Sequence, residues 1–228
     1  MSSVLTRLRG VKPQALRNSD GPGLRYGEKE MRVLVACEYS GTVRDAFRRK
    51  GHDAWSCDFE PADPPSEFHL KGDAIGYAYL DHSWDLMIAH PPCERLCVSG
   101  ARWLYEKEGW AEEQISALSL VKSLLEAPIK RIALENPVGI ISTRIRRPDQ
   151  VIQPWMFGTP ETKATCLWLK NLPRLIPTHR KNDLFSPEEP EERKARVHKL
   201  PPSPDRKKLR AWKYTEIANA MADQWGAL

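Results

Sequence analysis

A chain of 228 residues, 41% hydrophobic and 29% charged, has ordinary globular composition and enough length for one sizeable α/β core. Lys and Arg exceed Asp and Glu by 35 to 30, a formal +5 that suits an acidic partner without requiring one. Its five cysteines (Cys37, Cys57, Cys93, Cys97 and Cys166) lack the spacing of a disulfide scaffold. No run reaches the roughly 18 to 20 apolar residues needed to cross a bilayer, so a disulfide-stapled secreted protein and a membrane role are set aside. A reducing, cytoplasmic setting is expected.

Residues 1–30 are polar and carry Arg7, Arg9, Lys12 and Arg17 without sustained periodicity, which reads as an extension. Because Met31 precedes the first strand pattern, this extension is equally an upstream start or a basic arm. A catalytic core is expected over 31–180. Val33-Leu34-Val35-Ala36-Cys37 is a buried-strand run, and Glu38-Tyr39-Ser40-Gly41 is a loop into a helix with Val43, Ala46 and Phe47 on one face, ended by Gly51. Ala54-Trp55-Ser56-Cys57 predicts a second strand with Asp58 at its end. A Pro-rich loop leads to His69-Leu70-Lys71-Gly72-Asp73, read as another strand end, and Asp85–Ala89 predicts the strand that runs into His90-Pro91-Pro92-Cys93. Ile115, Leu118, Val121 and Leu125 mark a helix over 112–126. Arg131–Leu134 then predicts a strand ending in Glu135-Asn136-Pro137, and Thr165–Leu169 a late strand. Strands alternating with helices imply an α/β fold with a Rossmann-like, mostly parallel sheet. Residues 181–213 turn from acidic to basic, with nine Lys or Arg against one Asp over 193–213, and 214–228 are expected to hold a helix that packs on the core.

Ligands of such sheets sit beyond the carboxyl ends of the strands. The conspicuous polar residues fall there. Asp58 stands where a ribose hydroxyl is commonly held, which suggests a nucleoside-bearing cofactor. The loop 38–41 has one Gly and no Gly-x-Gly-x-x-Gly run, so a cofactor without phosphate fits better. Two prolines stiffen the approach to Cys93 and can present its thiol at fixed geometry, although a Cys at a strand end also reads as a small core residue. Carbon 6 of a pyrimidine becomes electrophilic when N3 is protonated. A thiolate beside a protonated carboxyl, here Cys93 and Glu135, can therefore activate C5 toward a methyl donor.

Pro92-Cys93 and Glu135-Asn136-Pro137 resemble the nucleophile and acid motifs of the DNA cytosine-5 methyltransferases. Phe157-Gly158-Thr159-Pro160-Glu161-Thr162-Lys163 is similar to that family's base-contacting segment, with Lys163 in place of an arginine and Glu161 in place of a glutamine. The likeness runs from residue 32 to about 169, and with the tail from Tyr214 to Gly226 it extends to short bacteriophage members without a full target-recognition domain. The resemblance implies S-adenosylmethionine as cofactor, with Asp58 on the ribose, Asp73 on the adenine, Glu38, Tyr39, Ser40 and Gly41 on the methionine end, and Pro91 beside them. It implies Cys93 adding to C6, Glu135 holding N3, and Asn136, Arg144, Arg146 and Lys163 on the substrate side. It further implies DNA as partner, double-stranded with the base flipped out, in a bacterial host cell and a restriction-modification setting, and no metal. Two departures stand out: Glu94 follows the nucleophile where the family has a glutamine, and the first loop lacks Phe-x-Gly-x-Gly.

Other readings share parts of this pattern. The same thiol chemistry serves another pyrimidine or a free nucleotide, and a degenerate member could bind DNA without turnover. A zinc deaminase would use His90, Cys93 and Cys97, but the spacing is Cys-x-x-x-Cys, no His-x-Glu precedes it, and Cys97 is expected as a buried helix residue. An amino-methyltransferase would want an aromatic residue where Cys93 stands. The basic stretch 193–213, with Trp212 and Tyr214 for stacking, is read as a DNA contact or as a solvated tail.

Overall fold

The computed structural model describes residues 29–98, 108–179 and 214–228. Among them seven strands form one sheet: β1 (Arg32–Ala36), β2 (Asp53–Asp58), β3 (His69–Lys71), β4 (Leu86–Ala89), β5 (Arg131–Pro137), β6 (Gln150–Ile152) and β7 (Thr165–Lys170). The order is β3-β2-β1-β4-β5-β7-β6. Pairing is parallel from β3 through β5, whereas β7 runs antiparallel to both β5 and β6. The expected α/β, Rossmann-like, mostly parallel sheet is the observed one, with β7 as the reversed strand.

Alternation along the central strands sorts their side chains into two apolar layers. Val33, Val35, Leu86, Ile88 and Ala133 join one cluster; Leu34, Ala36, Met87, Ala89, Ile132 and Leu134 join the other. The first layer is covered by α1 (Thr42–Arg49), through Val43, Ala46 and Phe47, and by α5 (Thr215–Trp225), through Ile217, Ala218, Met221 and Trp225. The second packs on α2 (Ala74–Leu80), α3 (Trp110–Glu126) and α4 (Ile141–Arg144). Both faces of the sheet are thus buried, which explains why its middle strands read as continuous apolar runs.

Several local features went beyond the sequence pattern. Helix α2 follows β3 directly, and Asp73 is its N-cap, accepting a hydrogen bond from the Ile75 amide at 3.0 Å. Strand β6 is three residues long, and a 3₁₀ turn, Pro154–Phe157, follows it. Cys97 is buried, but it lies in an isolated antiparallel bridge with Gly139 and not in the helix expected for it. The reason is that the turn after Cys93 closes on the Cys93 carbonyl and then hands its backbone to the segment after β5. The segments 1–28 and 180–213, including the basic stretch 193–213 and Trp212, lie outside the described residues.

Helix α5 contributes much of one layer. Trp225 is fully buried, and its indole N–H donates to the Pro173 carbonyl at 3.0 Å. At the rim Arg49 donates to Asn219 at 2.9 Å, and Lys50 pairs with Asp223. Truncating a buried Trp removes both its transfer energy and the packing around the cavity left behind, so Trp225→Ala is expected to lower unfolding free energy by about 3 to 5 kcal/mol. Urea denaturation followed by far-UV circular dichroism checks this, and a loss below about 1 kcal/mol would show that α5 is not part of the cooperative core.

Candidate active site

The site is built where β4 ends beside β5, which itself runs on to Pro137 against β7. Their register pairs Ala89 with Leu134, so the next residues, His90 and Glu135, are neighbours. By alternation both leave the sheet on the face covered by α1 and α5, and His90 Nδ1 lies 3.0 Å from Glu135 Oε2. Their side chains are 3% and 11% exposed. Both line a small cavity with Val43 of α1, Lys163 and Thr165 at the start of β7, and Tyr214, Ile217, Ala218 and Met221 of the C-terminal segment.

Asn136, one residue on, turns to the opposite face. Its buried Nδ2 donates to the Pro91 carbonyl at 2.8 Å. Further bonds continue the seam: Val98 N to Val138 O at 3.3 Å and Ile140 N to Leu96 O at 2.8 Å. Between them a Cβ placed on Gly139 would overlap the Leu96 carbonyl oxygen and crowd Cys97 Cα, so this close approach needs glycine. The Cys93 carbonyl accepts from Leu96 N at 3.0 Å and Cys97 N at 2.9 Å, which folds the loop into one tight turn. On its outer side Arg95 stacks 3.8 Å over the Trp110 ring and pairs with Glu113, while Gln114 donates to the Arg95 carbonyl at 3.0 Å. Cys93 itself is half-buried. Burial pushes the thiols of Cys57 and Cys166 up, the second helped by the charge of Glu135, so both are held as neutral core thiols.

Just past β1, the strand next to β4, Glu38 is almost fully buried and caps α1 from outside the helix. Its carboxylate accepts from the amides of Val43 at 2.8 Å and Arg44 at 3.2 Å, and from the Ser40 hydroxyl at 3.3 Å. A carboxylate there satisfies orphan N–H groups and complements the helix dipole. Gly41 adopts a φ of 70°, with the Arg44 guanidinium packed where a Cβ would stand. Arg44 is buried, donating to Ser56 Oγ at 3.0 Å and pairing with Asp45. Tyr39 and Ser40 complete the loop. Asp58 ends β2 and accepts from the Glu60 amide at 3.0 Å.

The candidates therefore fall into groups. Cys93, Glu135, Asn136 and Pro91 belong to the seam between β4 and β5, and Lys163 lines the cavity with Glu135, its Nζ 5.7 Å from the Tyr214 ring centroid. Glu38, Tyr39, Ser40, Gly41, Asp58 and Asp73 follow the ends of β1, β2 and β3. Arg144 closes α4, and Arg146 is already engaged, pairing with Asp149 at 2.7 Å and donating to the Leu169 carbonyl at 3.1 Å. Burial works to raise the Asp149 pKa, but the Leu169 amide and the Arg146 guanidinium outweigh it and the net shift is downward. Tyr214, expected on a stacking surface, lines the cavity and donates to Glu161 at 2.8 Å. Among the described residues no three His, Cys, Asp or Glu side chains converge in a way that could hold a metal ion, and no helix is long and apolar enough to cross a membrane.

Neither a family model nor a curated protein matches the sequence. Solved structures with a similar chain path include three methyltransferases, each 14% identical over the aligned part. A DNA modification methyltransferase encoded within a prophage of E. coli superposes with a TM-score of 0.39 over 61% of this chain and 46% of its own. The Entamoeba histolytica methyltransferase EhMeth gives 0.43 over 67% and 58%, and the S. pombe Dnmt2 methyltransferase 0.41 over 64% and 51%. The chain spans about half the length of these proteins.

The seam makes a direct prediction. Gly139→Ala forces backbone apart and is expected to cost about 1 to 3 kcal/mol of stability. Gly76→Ala, in the interior of α2 with nothing within 4 Å of the new methyl, is expected to gain about 0.5 to 1 kcal/mol. Parallel urea titrations compare the two, and equal stability of both variants would mean that the 93–98 turn is not held against residues 138–140.

Proposed function

We propose that this protein is a methyltransferase that uses S-adenosylmethionine to methylate C5 of cytosine in DNA through a covalent Cys93 adduct. The observation that carries the reading is the bonding of the Cys93 loop to the segment bearing Glu135, through Asn136 and the backbone pairs around Gly139. A nucleophile and an acid held on neighbouring strand ends by backbone hydrogen bonds are the arrangement that activation of a pyrimidine needs.

In this mechanism Cys93 loses its thiol proton and adds to C6, while Glu135 donates to N3 and draws charge away from the ring. Asn136 keeps the nucleophile loop in place by holding the Pro91 carbonyl. Loss of the C5 proton and expulsion of Cys93 complete the cycle. S-adenosylmethionine, when bound, supplies an electrophilic methyl group. The β1 edge fits such a cofactor, because Glu38 already occupies the amides at the α1 N-terminus and leaves them unsuited to a phosphate. Tyr39, Ser40 and Gly41 would border its amino-acid end, Asp58 its ribose and Asp73 its adenine, with Pro91 between cofactor and nucleophile. On the substrate side Lys163 would approach the base or its phosphate and Arg144 the backbone, whereas Arg146 would have to leave Asp149 and the Leu169 carbonyl to do so. A base within a duplex must leave the stack to reach Cys93.

A duplex containing 5-fluorocytosine cannot lose the C5 substituent, so with S-adenosylmethionine it should trap protein and DNA as one covalent species in denaturing gels. Wild type is expected to form it and Cys93→Ser is not. Glu135→Gln should slow its formation by roughly 10²-fold to 10⁴-fold, the range of a general acid. Absence of the adduct with wild type, or equal trapping by Cys93→Ser, would falsify this mechanism.

A further inference from the structure

We propose that His90 and Glu135 share a single proton and work as one acid, with His90 holding the proton that Glu135 delivers to N3 of the pyrimidine. The inference rests on the reading of Glu135 as the acid given above, and it adds a residue that reading does not use. Three observations support it. The pair is hydrogen-bonded at 3.0 Å, both partners are nearly buried, and both line the cavity that Lys163 also faces.

The chemistry explains why such a pair is needed. An ordinary carboxylic acid is almost wholly ionised at neutral pH, whereas imidazole gains and loses its proton there. Glu135 alone would therefore meet the base without a proton. Burial of a lone carboxylate is also costly, and a hydrogen-bonded imidazole relieves that cost by taking or giving the shared proton. Two groups this close titrate in steps that belong to the pair.

Among the described residues, the groups lining the cavity favour retention of one proton and not two. From α1 only Val43 lines the cavity, and from α5 Ile217, Ala218 and Met221, none of them ionisable. Lys163, in the segment just before β7, disfavours a second positive charge. Cys166 of β7 is kept neutral by burial and by the charge of Glu135. Tyr214 is engaged with Glu161, Glu216 accepts from Thr159, and on the β1 side Glu38 is committed to the α1 amides.

In the cycle the proton passes from Glu135 to N3 as the Cys93 sulfur bonds to C6, and the C5–C6 π electrons move into the C5, C4 and N3 system. It returns to Glu135 when the sulfur–C6 bond breaks. The proton lost to solvent is the one from C5, so the pair ends as it began.

The test uses two variants that keep a hydrogen bond. His90→Asn retains an N–H donor near the position of Nδ1 but cannot carry the proton, and Glu135→Gln removes the anion. In the first arm the His90 ring nitrogens and the Glu135 carboxyl carbon are followed by NMR against pH in the protein alone. The two signals should move together in one step, and in Glu135→Gln the His90 step should move to lower pH. Independent steps at separate pH values, or a His90 step unmoved by Glu135→Gln, overturn the proposal whatever the enzyme's activity. The second arm is the pH profile of methyl transfer. His90→Asn should shift the alkaline limb toward acid by about one unit, about a tenfold loss at a fixed pH on that limb. A uniform loss with an unmoved profile would make His90 a support for Glu135 only and would also overturn proton sharing. Wild type that transfers no methyl while its NMR signals titrate together would instead defeat the functional reading and leave the shared proton standing.

Discussion

The hydrogen bond from the Asn136 amide to the Pro91 carbonyl, with the backbone contacts around Gly139, is the constraint on which the rest of the site depends. Sheet pairing alone brings β4 and β5 into register only as far as Ala89 and Leu134. Beyond that point the β4 segment leaves the sheet while β5 continues to Pro137 against β7, and the parallel ladder no longer joins the two. The seam 96–98 against 138–140 does so, and its closeness is available because residue 139 has no side chain. The Cys93 loop is therefore tied to the segment that follows Glu135 by main-chain bonds and one short side-chain amide, a stiffer link than contact between long side chains.

The same edge shows a second economy. Helix α1 starts where an anionic ligand would find free amides, yet Glu38 fills that position from within the chain. The buried Arg44, packed on Gly41 and bonded to Ser56, braces the loop from below. The loop is thus held by the chain's own groups. On the face of β4 and β5 that α1 also covers, the polar pair His90 and Glu135 borders a cavity walled by α5, so that helix both closes a hydrophobic layer and forms the cavity wall.

Much of this was legible in the residues. The apolar runs of β1, β4 and β5 named the central strands, and placing Cys93 just past β4 followed from where that run stops, whereas β5 runs on past Glu135 to Pro137 because it pairs with β7. Strand alternation could have disclosed more. Counting by twos from Leu86 and from Ala133 puts His90 and Glu135 on one face, whereas the sequence drew attention to His90 only as a metal ligand. Other features carried no local signal. Strand β6 is too short for a period, the reversal of β7 arises from its pairing on both sides, and Glu38 as a helix cap lies outside the usual N-cap position. Cys97 was expected in a helix because its neighbours permit one, but tertiary pairing with Gly139 prevailed.

Methylation of cytosine through Cys93 is tested most directly by the nucleoside composition of DNA from cells expressing the protein. Mass spectrometry of enzymatic digests should show 5-methylcytosine above the level in cells carrying Cys93→Ser. Identical digests from the two, or a modified base other than 5-methylcytosine, would contradict it.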